Sequence, residues 1–200
     1  MAVVDEEPAR AGRRRDPACD LAILTATVDA FVEGGYAAVS IEGVAARAGV
    51  GKATIYRRYD SKAELVVDAV RTRACITDHL PDTGDLRADL RSMLRPLVEH
   101  LRDESGGKVL IAFMGDRLRH PDLAAEFERS VIGAKRAHTR KLVRSAVQRG
   151  DLPADTDVEL IAEVGAAVVW HHALQGLPLH EDLPDRILDL VLPRGPGGPT

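Results

Sequence analysis

Lys52, Thr54, Tyr56, Arg57 and Arg58 fall within seven residues, and Ser40 and Lys62 flank them. Each residue type suits one part of a polyanionic duplex. Hydroxyls of Ser40 and Thr54 can donate to phosphate oxygens near helix N-termini, where the helix dipole also favours an anion. Lys52 and Lys62 offer point charges, and Tyr56 can pack on a sugar while its hydroxyl reaches a phosphate. Arg57 or Arg58 can bind a guanine edge through two parallel hydrogen bonds, worth about 1–3 kcal/mol of base discrimination. Phosphate contacts would position the protein and base contacts would specify the sequence.

Charge supports a local rather than a general basic surface. The 200-residue chain carries a net charge of -4, which argues against a binder that is basic throughout. From Ser40 to Lys62, five cations (Arg47, Lys52, Arg57, Arg58, Lys62) stand against two acids (Glu42, Asp60), a local charge of +3.

The elements that must position these groups are two short helices around a turn. Ser40 is a good N-cap for a helix from about 41 to 47, and Gly49 ends it. Val44, Ala45, Ala48, Val50 and Ile55 can then pack inward, which leaves Lys52, Thr54, Tyr56 and Arg57 to project outward. Two helices joined by a glycine-containing turn form a helix-turn-helix, whose second helix fits the DNA major groove. A first helix begins at Asp16-Pro17, carries Leu21, Leu24, Val28 and Phe31 on one face, and stops at Gly34-Gly35. Ser61 and Glu64 read as a capping box for a longer helix that ends near Leu80-Pro81.

The same stretch resembles the DNA-binding region of TetR/AcrR-family transcriptional repressors. The shared residues are Gly35-Tyr36, Ser40, Val44-Ala45, Ala48-Gly49-Val50, Lys52, Thr54-Ile55-Tyr56, an aromatic at Tyr59, and Ser61-Lys62 with Glu64-Leu65, and the likeness spans about 17–66. The resemblance implies a homodimer that reads a palindromic double-stranded DNA operator. It implies phosphate contacts from Lys52, Thr54, Tyr56 and Lys62, with Ala53, Arg57 and Arg58 near base edges. Three positions depart from the family's common pattern. Gly51 stands where a hydroxyl residue is frequent, Ala53 where glycine is frequent, and Arg58-Tyr59 where His-Phe is common, so the base preference is this chain's own.

Beyond a turn cluster at 81–85 the pattern stays helical, with no alternating strand pattern. The fold expected is all-α with about nine helices. A helix-turn-helix DNA-binding domain over 17–80, including a linking helix at 62–80, precedes a ligand-binding and dimerisation domain over 82–193. Residues 1–16 and 194–200 read as a disordered arm and tail; Arg13, Arg14 and Arg15 of the arm could reach a minor groove. Pro96 should kink its helix and Ser105-Gly106-Gly107 should break the chain before a helix at Val109.

A kink at Pro96 would open space for a small-molecule effector near Met93, Leu97, Leu101, Phe113, Met114, Phe127 and Trp170. Arg117, His100, His138 and His171 are the polar groups that could orient it. In 158–176, Ile161, Gly165, Val168, Val169 and His172 share a broad apolar face. The last helix is similarly apolar, with Ile187, Leu188 and Val191. Two such helices from each subunit would make a four-helix dimer interface.

Other classes find little support. GxSxG, P-loop and dinucleotide-binding fingerprints are all missing, so an enzyme and a cofactor are not expected. His171 and His172 point about 100° apart on a helix and make no metal pair. Two cysteines, Cys19 and Cys75, suit a reducing compartment rather than a disulfide framework. The chain shows no run of about 18 uncharged apolar residues and no secretory signal, so no membrane partner and a cytoplasmic location are expected.

Overall fold

Asp16 and Pro17 start the first helix as their types dictate: the Asp16 carboxylate accepts the Ala18 N–H at 3.0 Å, and Pro17 occupies the first helical position, where no donor is needed. The computed structural model describes residues 16–74, 76, 78 and 80–192. The arginines of the arm, Cys75 and the 194–200 tail lie outside the described residues. The helices are α1 Pro17–Ala38, α2 Ile41–Ala48, α3 Lys52–Tyr56, α4 Lys62–Arg73, α5 Leu86–Arg102, α6 Glu104–Arg117, α7 Pro121–Phe127, α8 Gly133–Arg149, α9 Val158–Gln175 and α10 Leu183–Val191. A π-helical turn, Glu128–Ile132, joins α7 to α8 in one rod. No strand occurs among the described residues.

Three boundaries differ from expectation. Gly34-Gly35 bends α1 rather than ending it, and Gly35 takes φ 71°. α4 ends at Arg73, not near Leu80. α6 begins at Glu104, ahead of the expected break: Asp103 caps it by accepting the Gly106 N–H at 2.6 Å. Gly106 and Gly107 are needed there for close approach, since a Cβ on Gly107 would stand 2.7 Å from the Leu101 carbonyl oxygen. α5 runs through Pro96 as one helix, although Pro96 leaves the Ser92 carbonyl without its helical donor.

The helix-turn-helix is not a separate bead. Ile23, Phe31, Ile55, Leu65 and Val66 belong to one apolar cluster that continues through Phe113, Leu123 and Phe127 to Val169 and Ile187. Phe113 sits between Phe31 and Phe127, with ring centroids 6.2 and 4.9 Å away. By length and composition α1 is the one described helix that could span a bilayer, yet its Ile23, Ala26 and Phe31 are core. A second cluster around Leu90, Val143, Leu188 and Leu192 closes the far end, and a cavity lies where the two clusters fail to meet.

Candidate nucleic-acid interface and the cavity behind it

α2 and α3 present the polar stretch through a turn that its sequence explains. Gly49 adopts φ 68°, and the Val50 N–H reaches the Ala45 carbonyl at 3.0 Å, a left-handed cap that an L side chain would strain. Val44, Ala45 and Ile55 are buried beneath the turn. Lys52, Ala53, Tyr56 and Arg57 are exposed, and Thr54 is half-buried. Tyr56 leaves 58% of its surface in solvent, unusual for an aromatic with nothing to cover it. The Arg57 side chain has no hydrogen bond or ion pair among the described residues, and its backbone N–H donates to the Ala53 carbonyl at 3.2 Å. Lys52 pairs with Glu42 at 3.1 Å, but both are exposed, and such a pair is easily exchanged for a phosphate. Ser40 Oγ accepts the Gly43 N–H at 3.1 Å as the N-cap, which leaves its own proton to donate outward.

Arg58 is a correction. Its side chain is only 10% exposed; Nε donates to Asp20 on α1, and Nη1 donates to the Thr54 carbonyl at 3.0 Å. It ties α3 to α1 and does not project beside Arg57. Tyr59 likewise points inward, donating to Asp68 at 2.9 Å; burial first, and then Asp68, push its phenol upward. Lys62 has one N–H on the Tyr36 carbonyl at 3.1 Å and lies 4.0 Å from the Tyr36 ring centre, with its other two donors left over.

Tyr36 is the joint between the two halves. Its N–H donates to Asp116 on α6 at 2.6 Å, its hydroxyl donates to Asp122 on α7, and its carbonyl accepts Lys62. Gly35 is required beside it, because a Cβ would stand 2.7 Å from Asp116 Oδ2 at a positive φ. Burial alone would raise the Asp116 carboxyl. The Tyr36 N–H and the Arg119 guanidinium outweigh it and hold the group below its ordinary range. The Tyr36 bond does most to lower Asp122, while burial first and that same bond push the Tyr36 phenol up.

The cavity has a volume of about 430 Å³, within the range of small-molecule sites. Met93, Leu97, Met114, Arg117, Phe127 and Trp170 line it as expected, and His100 joins them. Leu101 and Phe113 do not line it; both are buried in the main core. His171 is exposed on the outside of α9, and His138 donates from Nε2 to the Pro81 carbonyl at 2.6 Å. The π turn forms one wall through Glu128, Val131 and Ile132. Gly133 follows it, where a Cβ would lie 3.0 Å from the Glu128 carbonyl oxygen.

Two family models cover most of the chain. The one described as bacterial regulatory proteins of the tetR family matches residues 23–69, and the one described as the tetracyclin repressor-like C-terminal domain matches 80–191. The chain is a DNA-binding transcriptional regulator of the TetR family. Among its TetR-family relatives, the DNA-binding transcriptional repressor TetR of Mycobacteroides abscessus is 32% identical over 185 residues, covering 86% of this chain and 90% of that protein. An uncharacterized HTH-type regulator, YdeS of Bacillus subtilis, is 29% identical over 163 residues, 82% of each chain. The solved TetR-family regulator SCO0332 is 27% identical with a TM-score of 0.61, covering 86% of this chain and 96% of that one.

On this TetR-family frame most of the expected dimer residues turn toward their own chain. Val169, Ile187 and Leu188 are buried inside the single chain, and Ile161, Gly165 and Val191 line the cavity. A Cβ on Gly165 would meet the Leu94 side chain at 2.9 Å, so that glycine serves an internal contact. Val168 packs on the core, and His172 bonds through Nδ1 to the Pro178 carbonyl at 2.9 Å. The apolar side that stays open carries Leu160, Ala167, His171 and Leu174, spaced seven, four and three along one stripe of α9. Leu190 of α10 is exposed as well, at 85%. A helix apolar on most sides does not reveal by periodicity which side its own chain covers.

The functional contacts that sequence reading missed are carboxylates: Asp20, Asp116 and Asp122. Each meets its partner 38 to 86 residues away, and nothing local signals it.

Proposed function

We propose that this protein is a homodimeric, cytoplasmic repressor that leaves a palindromic operator when a small molecule fills the cavity. The observation that carries the reading is on α6. Arg117 lines the cavity, and the residue before it, Asp116, holds the backbone of Tyr36 at the base of the helix-turn-helix. A ligand that favours one position of α6 therefore biases the position of α1 and α3. Selection between two such positions shifts the population away from the one that fits both half-sites. A cavity of this size also favours an effector-responsive regulator over one with a filled core.

On the DNA, Ser40, Lys52, Thr54, Tyr56 and Lys62 would grip phosphates. Arg57 would read a base edge with Ala53 at close approach. In the dimer, the stripe from Leu160 to Leu174, with Leu190, would pack on its two-fold copy, so that half-sites fall about one helical turn apart. Selection of bound DNA from a random pool tests this reading. The expected product is a two-fold symmetric site with that spacing. An asymmetric site, or no enriched sequence, overturns it.

A further inference from the structure

The cavity wall carries three basic residues, Arg117, Lys135 and Arg136, against two carboxylates, Glu128 and Glu163. Arg136 donates to Glu128 at 2.6 Å and lies 3.9 Å from Glu163, so both wall carboxylates answer the same guanidinium. Arg117 has no carboxylate partner among the described residues. Its Nε is buried with no hydrogen-bond acceptor, its Nη1 faces the Met114 sulfur at 3.7 Å, and its guanidinium carbon lies 5.8 Å from the Phe127 ring centre. Arg140 has the other buried Nε that lacks a hydrogen bond, and there Glu159 supplies the charge. Arginine cannot escape burial by losing its proton, so an unpaired guanidinium in an apolar site is costly until an anion reaches it.

We infer that the effector is an organic acid, an apolar body carrying one carboxylate, and that the Arg117 guanidinium binds that carboxylate. The inference rests on the cavity being the effector site. A thioether and an aromatic face are weak partners for a cation, whereas a carboxylate matches the planar fork of a guanidinium with two parallel bonds. Part of the wall suits the body of the ligand: Met93, Leu97, Met114, Phe127, Ile132 and Trp170 are apolar. Methionines that adapt their shape sit beside rigid rings, which favours a carbon skeleton over a polyol or a peptide.

The protein contains a single tryptophan, and it lines the cavity, so its fluorescence reports occupancy directly. The test titrates the full-length dimer with two matched pairs: decanoate against decan-1-ol, and 1-naphthoate against 1-naphthalenemethanol. The acid of at least one pair should change Trp170 emission at a concentration about 10-fold or more below its alcohol, as expected for a charge-assisted bidentate contact. Arg117→Gln should cut that preference to under about two-fold, and Arg117→Lys should keep part of it because the charge remains. The circular dichroism of both variants should match wild type, which separates a lost preference from a lost fold. Equal binding of acid and alcohol, unchanged in Arg117→Gln, would overturn the role of Arg117 while leaving the cavity as an effector site. If neither acid nor alcohol alters Trp170, the effector reading fails, and this inference fails with it.

Discussion

Two regions of the molecule each set an arginine that a carboxylate answers near one that no carboxylate answers. At the helix-turn-helix, Arg58 is closed onto Asp20 and Arg57 faces solvent unpaired among the described residues. In the cavity, Arg136 is closed onto Glu128, and Arg117 has no acid among them. The paired arginines are parts of the fold. The unpaired ones stand where a ligand would arrive, a phosphodiester chain with base edges in one case and a small acid in the other. Arg57 waits in water, where its charge costs little. Arg117 waits against apolar walls, where an anion is worth more because the dielectric is lower. The number of arginines therefore says less about function than which of them the fold has already satisfied.

The contrast breaks most visibly at Arg57. Arg57→Ala should remove about 1–3 kcal/mol of base discrimination, roughly 5- to 150-fold in affinity for the preferred operator. Binding to unrelated DNA should change far less. Competition binding with single-base operator variants measures this. If every sequence weakens alike, Arg57 is a phosphate contact and Ala53 is the position to test next.

Arg58→Ala should act on the other side of the comparison. It strands Asp20 beside α3 and should cost about 1–2 kcal/mol of stability, less than a fully buried pair because Asp20 is partly solvated. That corresponds to a fall of roughly 2–8 °C in melting temperature for a chain of this size. The ranking of operator variants, measured well below the transition, should be unchanged. A changed ranking with an unchanged melting temperature would reverse the assignments of the two arginines.

Tyr56→Phe should be smaller still. The ring is exposed and its hydroxyl has no partner among the described residues, so stability should hold. Affinity should fall by about 0.5–1.5 kcal/mol on all sequences equally. Calorimetry and binding to two unrelated duplexes separate these outcomes.

Local grammar explains why the helix-turn-helix is legible in the sequence. Caps at Asp16, Ser40 and Ser61, the left-handed Gly49 and the inward set Val44, Ala45 and Ile55 all act within a few residues, so nothing distant is needed to place it. Gly106-Gly107 misleads because a glycine pair that usually breaks a helix here serves a tight corner, and only the neighbouring Leu101 carbonyl shows that. Arg58 misleads for a related reason, since its phase beside a five-residue helix leaves it able to face DNA or α1 until Asp20 decides. The α9 residues are sound as apolar positions, but their pattern does not tell which side the chain itself covers.

Tyr36 extends the contrast to carboxylates, because all three of its own polar groups are already answered. Asp116 and Asp122 are held below the ordinary carboxylate value of 3.8. A carboxyl whose folded pKa is depressed stabilises the protein above its unfolded value and loses that contribution as pH falls through the folded one. The Tyr36 phenol is shifted up from its ordinary value of 10.0, so its contribution is present below that value and is lost as pH rises beyond it. The joint should therefore be indifferent to pH between about 5 and 9 and weaken on both sides. Tyr36→Phe removes the bond to Asp122 but leaves the backbone bond to Asp116. At neutral pH it should lower the melting temperature by a few degrees, for a bond worth about 0.5–1.5 kcal/mol. The gap between wild type and Tyr36→Phe should narrow on both sides, below about pH 4 and above about pH 10. A gap that stays constant across that range would mean that the hydroxyl does not contribute through its bond to the Asp122 carboxylate.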